Sequence, residues 1–190
     1  THLFNAYHAI AVGEPHALYF REDLILYLPQ DQGFYRAEIL DDLTPQAAAG
    51  IYADTYLTGS QGQRGFNALL DEANCYANEI PGMSSFGEYY NGGVSLRDGA
   101  AAFLYFLQVY LRVARTEYPA YYSSIQADPV YRDAVELLWL RTHFFFQHAD
   151  TFPNLGINDD MYRAEAYKPE NLAEIDMFIG ATVGPSNCLQ

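Results

Sequence analysis

Apolar and polar positions change period about forty residues into the chain. Up to Leu40 the pattern is of short β-branched or aromatic runs, Ala17 to Phe20, Leu24 to Leu28 and Phe34 to Leu40. Arg21-Glu22-Asp23 and Pro29-Gln30-Asp31-Gln32-Gly33, both of turn composition, separate them. Three strands of a small antiparallel sheet are predicted there. Beyond Leu40 the period lengthens to that of helices. Thr44-Pro45 places an N-cap residue before a proline at the first helical position, and this helix should run to about Leu57, where Thr58-Gly59-Ser60 ends it. In the next helix Phe66, Leu70, Ala73, Ala77 and Ile80 recur as a core-facing stripe, until Pro81-Gly82 stops it. Pro81 to Gly93 then reads as a loop. Ser95-x-x-Asp98 resembles a capping box at the head of a helix through Arg115, with Ala102, Phe106, Val109 and Val113 inward. Asp128-Pro129 opens another to about His148, carrying Val135, Leu138, Trp139 and Phe146. These two are expected to form an antiparallel central pair. Shorter helices are expected over 159–167 and 169–179, ahead of an irregular end.

The elements add up to an α+β fold, predominantly α: a small N-terminal antiparallel sheet followed by a bundle of four or more helices. Its 190 residues suit one domain, with a strand-rich part at 1–43, a helical core at 44–150 and a mixed tail at 151–190. No internal repeat or low-complexity tract interrupts it.

Composition narrows the functional classes. Half of the residues are hydrophobic and 16% are aromatic, 17 of them tyrosines, which excludes disorder and puts many amphipathic rings at the surface of a core. The formal charge of -14 repels phosphate backbones and anionic lipid, so neither nucleic acid nor a membrane surface is an expected partner. Gly99 to Leu111, the longest central uncharged run, is shorter than the roughly 20 residues that span a bilayer and reads as a buried helix. The chain opens on Thr1 with no signal-like stretch, as a processed or trimmed product would. Cys75 and Cys188 allow one disulfide in an oxidising compartment, and buried thiols are the alternative.

Chemistry concentrates on the helix after Gly65. Glu72, Tyr76 and Glu79 follow one another at i, i+4, i+7 on the flank beside its apolar stripe, with Asp71 and Asn78 adjacent. Two carboxylates one to two turns apart can share a divalent cation or hold separated acid and base roles. A solvated helix face has the same pattern. Asp71-Glu72-x-x-x-Tyr76 resembles the helix that supplies the glutamate ligand in gluzincin metallopeptidases, over about ten residues. The resemblance implies a zinc-ligand role for Glu72. The family's His-Glu-x-x-His does not occur in this chain, so the paired imidazoles would have to come from elsewhere.

Histidines are the other cation candidates. His143 and His148, five apart, stand about 140° from each other on a helix and are not a paired chelate, although Glu136 and His143 share a stripe. His2, His8 and His16 fit no metal spacing by themselves and would need acidic residues from elsewhere in the fold. The candidate metal or polar site is therefore Glu72, Tyr76, Glu79, His143 and His148, for a divalent cation. A candidate binding loop is Phe86, Glu88, Tyr89, Tyr90 and Asn91, where adjacent tyrosines among glycines could stack on sugar or clasp a protein. Phosphate-cradling and nucleophile-elbow motifs are absent. Two functions are thus expected to compete. The first is a non-catalytic, extracytoplasmic binding or assembly module for protein or glycan. The second is a metal-dependent hydrolase, or an inactive remnant of one.

Overall fold

The computed structural model describes residues 1–90 and 95–183. It bears out the α+β, mostly helical class, with a two-stranded antiparallel sheet near the N-terminus. The chain enters through a helix the sequence pattern did not reveal, α1 (His2–Val12), which stops where Gly13 turns left-handed at φ 77. Strands β1 (His16–Arg21) and β2 (Leu24–Leu28) pair with Leu18 opposite Leu26 and Tyr19 opposite Ile25.

The third expected strand is instead a 3-10 helix, Arg36–Asp42. Glu38 reaches back to accept the Tyr35 N–H at 3.0 Å, and the Arg36 side chain turns fully inward, a local arrangement that outcompetes an unpaired strand. The helix expected over 44–57 is broken in two, α2 (Pro45–Ala48) and α3 (Ile51–Tyr56). Gly50 marks the break, pressed against Tyr162 so closely that a Cβ would lie 2.2 Å from the phenol oxygen. Thr44 stands at the N-cap, but its hydroxyl makes no cap bond.

After α4 (Gly59–Gly62) comes α5 (Phe66–Ser84), which runs through Pro81 rather than ending there. Burial of Ile80 and Ser84 on either side of the proline, with Met83 packed on the core, offsets the roughly 3 kcal/mol that an interior proline costs. The remaining helices are α6 (Leu96–Glu117), α7 (Pro119–Ala127), α8 (Pro129–Ala149), α9 (Asp159–Ala166) and α10 (Pro169–Ile179). The Ser95 hydroxyl accepts the N–H groups of Arg97 and Asp98, and the Asp128 carboxylate that of Val130.

The core forms around α6, which is buried without interruption from Arg97 to Leu111. Such a helix has no polar face to offer, in keeping with its charge-free sequence from Gly99 to Leu111. Packing around α6 also corrects the expected central pair. Its chief partners are α5, α9 and α10, whereas α8 lies mainly on α5 and touches α6 only lightly. Helix α5 is thus clamped between α6 and α8 and carries the hairpin and α1 on its remaining side. Among the described residues no helix is long and apolar enough to cross a membrane.

Candidate functional site

The side of α5 that faces α1 and the hairpin carries the densest polar chemistry. Asn74 and Asn78, one turn apart, both donate to the carbonyl of Tyr19, at 3.0 and 2.8 Å, and so hang β1 on the helix. Arg141 from α8 completes the clamp, donating to Phe20 O and Asn78 Oδ1, each at 2.7 Å. Helix α1 is fixed by Asn5, whose Oδ1 accepts the Tyr19 N–H at 2.7 Å while its amide donates to Asp71 Oδ1. The rings of Phe4 and His8 stack on Tyr19.

This anchoring delivers His2 to α5. Its Nδ1 lies 2.8 Å from Asp71 Oδ2 and 3.2 Å from Cys75 Sγ, and its Nε2 lies 3.4 Å from Glu72 Oε2. One ligand atom from each of His2, Asp71 and Cys75 falls within 4.8 Å of the other two. Asp71 and Cys75 are one helical turn apart on α5, and His2 closes the set from α1. A cleft of about 160 Å³ opens beside the cluster, lined by His2, Tyr56, Glu72, Cys75, Tyr76, Glu79 and Leu96.

Burial governs the electrostatics. Glu72 is 8% exposed, and desolvation lifts its carboxyl above the usual value against the opposing pull of His2 and Arg36. The Cys75 thiol is buried, and desolvation reinforced by the Asp71 charge pushes it far up. Arg36, fully buried, donates to the backbone and side chain of Gln61 at 2.9 and 2.8 Å, and its own pKa is lowered by burial. Tyr56 and Tyr76 share a hydroxyl hydrogen bond of 2.9 Å, and burial raises both phenols, so they stay neutral.

No known protein family, curated protein or solved structure matches this chain.

Of the residues singled out from sequence, Glu72, Tyr76 and Glu79 line this one cleft, with Glu79 at its exposed side. His143 and His148 do not line it. His143 Nδ1 lies 2.7 Å from the Tyr167 hydroxyl, and desolvation lowers its pKa, while His148 sits edge-on to Phe152. In the candidate loop Phe86 and Tyr89 are 65% and 81% exposed around a 3-10 turn, Gly87–Tyr89, with Glu88 exposed and Tyr90 half-buried. Gly87 backs onto Phe152, where a Cβ would lie 2.5 Å from the ring. Asn91 and Cys188, and with Cys188 the disulfide, lie outside the described residues. Sequence reasoning did not assign Asp71, Cys75 or Tyr56 to the cation site. The only available signal was the i, i+4 spacing of Asp71 and Cys75.

Proposed function

We propose that this protein is a metal-binding module in which a divalent transition metal of the zinc type clips α1 onto α5 through His2, Asp71 and Cys75. The convergence of those three ligand atoms carries the reading. At zinc bond lengths of about 2.0–2.3 Å the ligands of a tetrahedron stand roughly 3.3–3.8 Å apart. The 2.8 and 3.2 Å separations need only a small outward shift of His2 to meet that spacing. An imidazole, a carboxylate and a thiolate together suit zinc, and the thiolate disfavours magnesium and calcium. With His2 Nδ1 turned toward the metal, Nε2–H points at Glu72, which then acts as the outer carboxylate that fixes the tautomer rather than as a ligand.

The role that best suits such a clip is non-catalytic binding or assembly. Helix α1 turns Leu3, Phe4, Tyr7, Ile10 and Val12 outward, each more than half exposed, so a metal that holds α1 also holds an apolar face ready for a protein partner. A hydrolytic reading has one observation of its own, the cleft beside the cluster, where a fourth ligand position could admit a water. Calorimetric titration with zinc, and separately with calcium, tests the metal reading. One zinc per chain is expected, with no calcium heat and at least about a tenfold loss of zinc affinity in Cys75→Ser. Equal calcium and zinc binding, untouched by Cys75→Ser, would sink it. Cleavage of peptide or ester substrates by the zinc-loaded chain would select the hydrolytic role over the assembly role.

A further inference from the structure

A second cavity, of about 410 Å³, lies where the N-terminal end of α5 meets the segment after β2, and its walls include His16, Gln30, Asp31, Tyr35, Gln63 and Arg64. What distinguishes it is Arg64. All ten basic residues fall within the described part of the chain, and nine are engaged. Arg21, Arg97, Arg115, Arg163 and Lys168 hold carboxylates. Arg36, Arg112, Arg132 and Arg141 donate to carbonyls or amides. Among the described residues the Arg64 side chain makes no hydrogen bond or ion pair, and neither does the Gln63 amide beside it, although the chain carries 24 acidic residues and the Arg64 charge acts on Glu72 through space. The one acid in the wall does not call for this cation. Asp31 Oδ1 accepts from Gly33 N–H and from the Tyr121 hydroxyl, each at 2.9 Å, and Oδ2 accepts from Asn67 N–H at 3.3 Å. Its place is fixed by Gly65, where a Cβ would lie 2.1 Å from Oδ2.

We infer that this cavity is a binding site for a small hydroxylated monocarboxylate of the sugar-acid type. The planar guanidinium fork of Arg64 matches a carboxylate. The amides of Gln30 and Gln63 can both donate to and accept from hydroxyls, and the Tyr35 ring, 57% exposed, gives a face for the C–H side of a sugar ring. A singly charged ligand is favoured over a phosphate because the surrounding field of a -14 protein opposes each added negative charge. The volume lies within the range of small-ligand sites. The inference is independent of any metal at His2.

The test is amide chemical-shift titration of the isotope-labelled full chain with sodium glucuronate, glucose, acetate and inorganic phosphate at low salt. Glucuronate is expected to shift amides around Arg64 with a Kd of roughly 1 mM, and Arg64→Gln to weaken it about tenfold or more. Glucose and acetate should each bind about tenfold more weakly than glucuronate. Because Arg64 is exposed and its side chain makes no hydrogen bond or ion pair among the described residues, the variant should keep the wild-type spectrum elsewhere. Absence of shifts with glucuronate at about 10 mM, equal binding by Arg64→Gln, or phosphate or acetate binding as tightly as glucuronate would each overturn the inference.

Discussion

Replacing Gly99 by alanine probes how the cleft wall is built. Gly99 lies in α6 directly under Tyr76, and a Cβ there would stand 2.2 Å from a ring carbon. The ring has little room to retreat. It stacks on Phe103 at 5.4 Å, meets Tyr52 and Tyr56 edge-on at 6.0 and 6.2 Å, and is tied to Tyr56 through its hydroxyl. Overpacking of this kind costs about 1–3 kcal/mol, whereas glycine to alanine inside a helix returns about 1 kcal/mol. The balance is a loss of up to about 2 kcal/mol, which in a chain of this length lowers Tm by up to about 4–8 °C. Urea titration of Gly99→Ala, Tyr76→Ala and the double variant isolates the cause. With the ring removed, Gly99→Ala should change sign and stabilise by about 0.5–1 kcal/mol. Stabilisation in the wild-type background, or the same destabilisation in both, would refute the packing argument.

Glu72→Gln should have opposite effects with and without metal. The folded carboxyl is raised by burial above its ordinary 4.5, so its stabilising contribution is full below that pH and is lost as pH rises through the folded value. Without metal the variant should therefore outlast wild type in urea near neutral pH and match it near about pH 4; with zinc, affinity should fall about 10–100-fold as His2 loses its tautomer partner. Zinc affinity itself should rise with pH, because the thiol of Cys75, held protonated by burial, must release its proton on binding, and titration in buffers of different ionisation heat should detect that proton. Asp98→Ala removes a buried carboxylate that accepts the N–H groups of Ile157 and Asn158, each at 2.9 Å. A loss of about 2–4 kcal/mol is expected, with faster hydrogen exchange at those two amides.

Much of the fold was legible because local signals agreed with tertiary packing. Ser95 and Asp128 do cap α6 and α8, and α10 spans the expected 169–179. Failures came where packing outweighed local preference, as at Pro81, or where the inward face was too narrow to register. In α1 only Asn5 and Ala9 are buried, so its hydrophobic residues point the wrong way for an amphipathic reading. The site divides similarly. Glu72 and Tyr76 stand out through their i, i+4 spacing, whereas His2 needs acids from elsewhere in the fold. Its actual partners, Asp71 and Cys75, lie 69 and 73 positions away, a separation that no spacing rule along the chain encodes. The uncommitted state of Arg64 emerges only once the other nine bases have found their partners.

Metal content measured by elemental mass spectrometry, on protein purified without chelator, tests the central assignment most directly. About one zinc-type ion per chain is expected in the wild type, lost in both Cys75→Ser and Asp71→Asn and kept in His143→Ala. A metal-free wild-type protein, or one whose ion survives both substitutions on α5, would contradict it.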